Sequence, residues 1–192
     1  GTDMHTSTKK LLGAALGGCL TLGLTACAGT VQKPITTVSK VELKRFMGNW
    51  YVIANIPTFI EKGAHNAVES YAMNADGTVA TTFEFNAGGF DGQRKDYHPT
   101  GYIVDTESNA VWGMQFLWPF KSEYRIIWLN DDYTQTTIGR TKRDYVWIMA
   151  RTPSIPQADY EQLMRFLNDE GYDIRKVQKV PQQWPAAQAG GS

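Results

Sequence analysis

The sequence predicts an all-β domain, an antiparallel sandwich or barrel, with a single helix near its C-terminus. Three observations lead there. Short apolar segments recur at close intervals from Trp50 to Arg151, separated by turn-forming residues. Several of them alternate, as in Val79, Thr81, Phe83 and Phe85, which fall on one face of a strand. Late in the chain Tyr160, Leu163, Met164 and Leu167 recur at helical spacing.

Taken in order, Val41, Leu43, Phe46 and Met47 fit a short helix or 3₁₀ turn. A strand from Trp50 to Ile56 follows, interrupted by Pro57, and Thr58 to His65 form a loop. Ala67 to Met73 is a second strand, closed by the turn Asn74-Ala75-Asp76-Gly77. Val79 to Phe85 is a third, ahead of a glycine-rich turn over 86–92. Arg94 to Val104 reads as one strand, and Pro99 within it implies a bulge or an edge. After a turn at 105–109, Val111 to Leu117 places Trp112, Met114 and Phe116 on one face, and Pro119 breaks it. Tyr124 to Leu129, Thr134 to Arg140 and Tyr145 to Arg151 complete the series. Ser154-Ile155-Pro156-Gln157 has a capping-box outline with an early proline, and Gly171 ends a helix of three to four turns. Its apolar stripe must bury against something, and the outside of the sheet is the surface on offer. Tyr172 to Val180 fits one more short strand.

Ahead of this body, residues 11–26 read LLGAALGGCLTLGLTA, uncharged and apolar behind Lys9 and Lys10. That is the layout of a secretory signal, shorter than the ~20 residues of a membrane span. Met4 reads as the start, with Gly1 to Asp3 added ahead of it. Leu24, Thr25, Ala26 and Cys27 resemble the lipobox of bacterial lipoproteins, in which cleavage precedes the cysteine and the cysteine carries the lipid. The resemblance implies removal of residues 1–26, lipidation of Cys27 and, because Ala28 rather than an aspartate follows, delivery to the outer membrane. The barrel would hang in the periplasm from its lipid anchor. Residues 27–40 are then the lipidated cysteine and a small, polar tether, 41–180 the domain and 181–192 the C-terminal tail, whose last part, 185–192, reads as frayed. With Cys19 removed and Cys27 lipidated, the domain has no disulfide, and its stability must come from its core.

Composition excludes several roles. Lysine plus arginine and aspartate plus glutamate each number 19, and no basic block exists, which argues against nucleic acid as a partner. His5, His65 and His98 lack a neighbouring ligand cluster, so no metal site is expected. There is no Gly-x-Ser-x-Gly, and Gly88-Gly89 lacks a phosphate-loop pattern. The carboxylate pairs Asp131-Asp132 and Asp169-Glu170 read as solvated or structural. Neither a catalytic residue nor a cofactor is expected.

Gly48-x-Trp50 at the first strand is similar to the first lipocalin motif. Asp132-Tyr133, after the apolar run Ile126 to Leu129, resembles the second, with Asp131 where that motif usually has threonine. Arg151, ending Val146 to Ala150, resembles the third. The three come in family order and spacing, the resemblance covers residues 41 to about 180, and the lipobox narrows it to bacterial lipocalins, outer-membrane lipoproteins. It implies an eight-stranded antiparallel up-and-down barrel with the helix packed outside. Such a barrel has no free edge and is wide enough for one small ligand. One end must be shut. Trp50 would plug it, and the Arg151 guanidinium would lie over the indole, a contact of ~0.5–2 kcal/mol, with donors left for carbonyls of the N-terminal turn. Gly48 would permit a turn that a β-carbon obstructs.

Alternation from Trp50 sends Val52 and Ala54 inward, and alternation from Arg151 does the same for Met149, Trp147 and Tyr145. Apolar content adds Phe83, Phe85, Trp112, Met114, Phe116, Tyr124 and Ile126, and Tyr71 and Tyr102 complete the expected lining. Glu69 and Met73 share the face of Tyr71. A single bulge would reverse the parity of a strand beyond it. This lining suits a fatty acid or lysophospholipid, chain inside and head at the rim. Phe59 and Ile60 in one loop offer a lid, a partner surface or a membrane contact, and Trp118 and Phe120 in another offer a homodimer contact, a ligand portal or simple packing on a neighbouring loop. The expected role is lipid storage, transport or membrane maintenance. The alternatives are a structural envelope lipoprotein with a self-filled barrel, a lipocalin-type enzyme and a haem binder.

Overall fold

The structure, a computed structural model, describes residues 33–185. The signal segment, the lipobox with Cys27, the first part of the tether (28–32) and residues 186–192 lie outside the described residues. The elements are α1 (Leu43–Phe46), β1 (Gly48–Ile56), β2 (Ala64–Met73), β3 (Val79–Ala87), β4 (Arg94–Tyr97) and β5 (Thr100–Ile103). They continue with β6 (Val111–Leu117), β7 (Phe120–Leu129), β8 (Gln135–Gly139), β9 (Val146–Ala150), α2 (Gln157–Asp169) and β10 (Gln178–Lys179).

Sequential antiparallel pairing runs β1-β2-β3-β5-β6-β7-β8-β9, and β9 returns to pair with β1, so the sheet closes on itself. β4 and β5 both pair with β3 and form one stave, broken where Pro99 has no N–H to give; its carbonyl still accepts from Thr81 N at 3.1 Å. The barrel therefore has eight staves. β7 starts four residues before the expected Tyr124, because the polar Lys121-Ser122-Glu123 continue the ladder toward Phe120.

Two apolar clusters lie on opposite sides of this wall. The interior one holds Phe46, Trp50, Val52, Phe85, Trp112, Ile126 and Met149, among others. The outer one packs Leu163 and Leu167 of α2 against Ile53, Ala54, Ile127 and Ile148. The helical stripe thus buries where the periodicity requires. The expected capping box is not formed. Pro156 occupies the N-cap position with no side-chain cap, which leaves Ser154 outside the helix, its carbonyl accepting from Thr152 Oγ1 at 2.7 Å. Gly171, at φ +94°, follows the helix as expected.

The chain ends are more ordered than expected. Ile35 is buried and Val38 N donates to Ile126 O at 3.0 Å, so the last part of the tether lies on the barrel. At the other end, β1 pairs with β2 only over Gly48 to Tyr51, and the two strands then diverge. β10 and the residues after it fill the gap. Val180 N donates to Ile53 O at 2.9 Å, and Asn66 N donates to Pro181 O at 2.9 Å. Gln182 Nε2 reaches Val52 O at 2.9 Å and Ala67 O at 3.0 Å. Asn66, at φ +50°, exchanges two hydrogen bonds with Gln183, at 2.8 and 2.9 Å. Residues 181–184, expected as part of a tail beyond the domain, are a strap across the seam. Gln182→Ala, which leaves both carbonyls without that donor, is expected to lower stability by about 1–2 kcal/mol in urea denaturation.

Candidate functional site

The closed end is built by three segments distant in sequence. Trp50 is fully buried, and its Nε1 donates to Phe46 O at 2.8 Å. The Arg151 Cζ sits 3.7 Å from the centroid of the Trp50 ring. Its Nε donates to Tyr133 O at 3.1 Å and its Nη1 to Asn49 O at 2.8 Å. Its Nη2 reaches Arg45 O at 2.9 Å and Phe46 O at 3.2 Å. A guanidinium can satisfy so many carbonyls because its donors form a fixed planar fork. Gly48 has φ +94°, and a β-carbon there would stand 3.4 Å from Arg151 Nη1. Tyr133, at φ +57°, accepts Glu42 N at its hydroxyl (2.9 Å), and the Arg45 guanidinium lies 4.1 Å from its ring centroid. Asp132 Oδ1 accepts from Thr134 Oγ1 at 2.7 Å. At position 131 the contact to Arg45 Nη2 is made by the backbone carbonyl, at 3.0 Å, so this contact does not require threonine there.

Above this floor lies a layer of packed aromatics. Trp112 stacks on Tyr124 at 4.7 Å between centroids and meets Phe46 and Tyr71 edge-on at 5.7 and 5.5 Å. The hydroxyls of Tyr71 and Tyr124 are 2.6 Å apart. The next level is open, with a cavity of about 440 Å³. Phe83, Met114, Phe116, Tyr124, Tyr145 and Trp147 line it, and Phe59 and Ile60 border it from the loop between β1 and β2.

The other expected lining residues separate into two groups. Val52, Tyr71, Trp112, Ile126 and Met149 face the interior but belong to the packed lower layer and not to the cavity wall. Phe85 also faces inward, nearer the open end than Phe83, and packs against Phe83 and Tyr97 beside the cavity. Ala54 and Tyr102 point elsewhere. The β1–β9 register shifts between Val52 and Ala54, which reverses the parity and turns Ala54 onto α2. Gly101 takes the inward position of β5, where a β-carbon would meet the Trp112 ring at 3.2 Å. Tyr102 is therefore outside, its hydroxyl donating to Gln115 Oε1 at 3.2 Å and its ring 3.8 Å from Lys121 Nζ. Phe116 stands at the rim beside Leu117, Trp118 and Phe120, and with Phe59 these leave an apolar, exposed mouth.

Of the carboxylates that line the cavity, Glu61 and Glu123 escaped the sequence reading, and Glu69 was seen only as sharing the face of Tyr71. Glu61 is buried, and it accepts from Thr58 N at 2.9 Å, Thr58 Oγ1 at 2.7 Å and Trp147 Nε1 at 2.8 Å. It thereby latches the β1–β2 loop to β9. Thr58-x-x-Glu61 has the spacing of a capping box, a signal that could have found it. Burial pushes its carboxyl above the ordinary range, against the pull of those three donors. Glu69 lies opposite Trp50 on β2, enclosed by protein with one face open to the cavity. Burial pushes it up to about 8; a hydrogen bond from Tyr71 opposes the shift and the charge of Glu61 adds to it. At the mouth the charges are paired. Arg140 Nε donates to Asp144 Oδ1 at 2.8 Å, and Glu123 accepts Thr141 N and lies 3.4 Å from Arg125 Nε.

A family profile described as a lipocalin-like domain matches residues 41–182. The chain is 31% identical over 162 residues to temperature-induced lipocalin-1 of Arabidopsis thaliana, covering 80% of this chain and 86% of that protein. It is 29% identical over 161 residues to outer membrane lipoprotein Blc of Citrobacter freundii, covering 82% and 89%. Its fold is similar to that of insecticyanin from the tobacco hornworm Manduca sexta, with TM-score 0.63 at 13% identity over 81% of this chain and 87% of that one. With that profile over most of its length and the motif segments joined beneath one closed sheet, the chain belongs to the lipocalin-like family.

Proposed function

We propose that this protein is a lipid-binding lipoprotein, which takes a small hydrophobic ligand into the barrel by partition and makes or breaks no bond. The observation that supports this best is the cavity of about 440 Å³ left above a filled floor. That volume falls in the ~300–1,000 Å³ range of small-ligand sites, and aromatic and methionine side chains supply most of its wall. The lower aromatic layer gives partial support to a self-filled barrel, but it ends at Tyr124 and Met114. Haem is disfavoured, since no histidine is among the described residues lining the cavity.

The lipobox at Cys27, together with similarity to an outer membrane lipoprotein, supports an anchor in the outer membrane and a barrel in the periplasm. The apolar mouth at Phe59, Trp118 and Phe120 then serves ligand passage from that membrane, and a homodimer would use the same surface. A fluorescent fatty acid or lysophospholipid is expected to bind with micromolar or better affinity. Met114→Trp, which places an indole in the cavity, is expected to weaken binding at least tenfold while the melting temperature moves by only a few degrees. Unchanged affinity with a large loss of stability points instead to a filled core.

A further inference from the structure

Most polar groups around the cavity are satisfied by neighbours. Glu61 has Thr58 and Trp147, Arg140 has Asp144, and Glu123 has Thr141 and Arg125. Glu69 differs. Among the described residues no ion pair reaches it, and its one hydrogen-bonding side chain is Tyr71. When Glu69 is ionised its carboxylate can only accept, so Tyr71 donates to it, and Tyr124, whose hydroxyl lies 2.6 Å from that of Tyr71, is then free to donate to Tyr71. The carboxyl also borders the cavity.

We propose that the cavity selects a lipophilic amine: an amphiphile whose cationic nitrogen enters first and pairs with Glu69, while its hydrocarbon chain extends toward Phe116 and Phe59 at the mouth. This rests on the reading of the cavity as a ligand site and reverses the orientation expected of a fatty acid. A fatty acid entering head first would set a carboxylate beside Glu69 and Glu61, with water excluded. Like charges repel strongly in such a medium. An ammonium instead neutralises a carboxylate that is already stripped of water, and it supplies the donors the open face of Glu69 lacks. An alcohol would gain the hydrogen bond without the charge.

The titratable and charged groups that face Glu69 set the pH dependence. They are Glu61 from the loop, Tyr71 on β2, Tyr97 on β4, Glu123 and Tyr124 on β7, and Arg140 and Tyr145 between β8 and β9, with Arg151 beneath the floor. Burial holds Tyr71 and Tyr124 well above their ordinary range, so they stay neutral. Glu69 releases its proton as pH rises through about 8, and an alkyl ammonium keeps its own until near 10. Amine affinity therefore rises from pH 5 to 9, and proton release accompanies binding at pH 7.

Displacement of a neutral fluorescent probe by dodecylamine, dodecanol and dodecanoic acid, below their micellar concentrations, tests the proposal. At pH 8.5 dodecylamine is expected to bind at least tenfold more tightly than dodecanol, with dodecanoic acid weakest. Glu69→Gln is expected to remove the amine preference, so that dodecylamine and dodecanol then bind within threefold of each other. Dodecanoic acid binding best, amine and alcohol binding equally, or an amine preference that survives in Glu69→Gln overturns the proposal and leaves the lipid-binding reading standing. If none of the three, nor any fatty acid or lysolipid, displaces the probe, the lipid-binding reading itself fails.

Discussion

Trp50→Ala is expected to lower the stability of the barrel by about 3–5 kcal/mol. Three losses add. The indole is fully buried, so its removal leaves a void beneath Phe46, whose ring centroid lies 5.2 Å away. Phe46 O loses the 2.8 Å donor from Nε1. Arg151 loses the ring beneath it at 3.7 Å, and the guanidinium then stands over a void. Against a typical total of ~5–15 kcal/mol, such a loss leaves a marginal domain. Arg151→Lys separates packing from hydrogen bonding. It keeps the charge but cannot serve the carbonyls of Arg45, Phe46, Asn49 and Tyr133 together, and about 2–4 kcal/mol is expected to go. In a double-mutant cycle the two sites should couple by about 1–2 kcal/mol, because the residues touch. Urea denaturation at neutral pH measures all three quantities. Additive losses, or a Trp50→Ala variant within 1 kcal/mol of the parent, would show that α1 and the Tyr133 turn close the base without help.

This end of the barrel was legible in the sequence, and the reason is geometric. Closing the sheet brings the start of β1 and the end of β9 together, so Trp50 and Arg151 had to meet once a closed barrel was assumed. The strand series was legible for a similar reason, since alternation and turn residues are local properties. What failed depended on non-local geometry. Ala54 was misplaced because the register shift after Val52 arises from how β1 meets β9, not from any residue in β1. Tyr102 was misplaced because the Trp112 ring, across the ladder on β6, leaves room only for Gly101 on the inside. The strap at 181–184 was missed because glutamine and asparagine carry no periodicity, and their side chains bond to backbone that only the divergence of β1 and β2 exposes. Glu69 was noticed on the face of Tyr71 and weakened that strand's assignment. A carboxylate among aromatics looked like evidence against an inward face, whereas the fold encloses it.

The enclosure has a measurable consequence of the second largest size. Glu69 titrates at about 8 in the folded chain, against about 4.5 when exposed. Its folded-state pKa is raised, so between those values the native state holds a proton that the unfolded state has released. Its contribution to stability is fully present below about pH 4.5 and is lost as pH rises toward 8. The loss approaches ~1.4 kcal/mol per pH unit within that window, on the order of 3–5 kcal/mol in all. Glu61 shifts in the same direction, so the parent curve alone does not isolate Glu69. The difference from Glu69→Gln does. The amide has nearly the same shape, still meets Tyr71 and cannot ionise. At pH 5 the two proteins are expected to lie within about 1 kcal/mol, since both are neutral at this position. At pH 8.5 the variant is expected to be more stable by a few kcal/mol, with a flatter curve between. The carboxylates held low, Asp76, Asp105, Glu123 and Asp173, are stabilised in their charged form by hydrogen bonds from Thr78, Ser108, Thr141 and Arg175, and they act only under acid conditions. A parent whose stability stays level from pH 5 to 8.5, or a variant that follows it in parallel, would mean that water reaches Glu69 through the cavity. Its carboxylate would then be solvated, and an incoming ammonium would find no desolvated charge to neutralise.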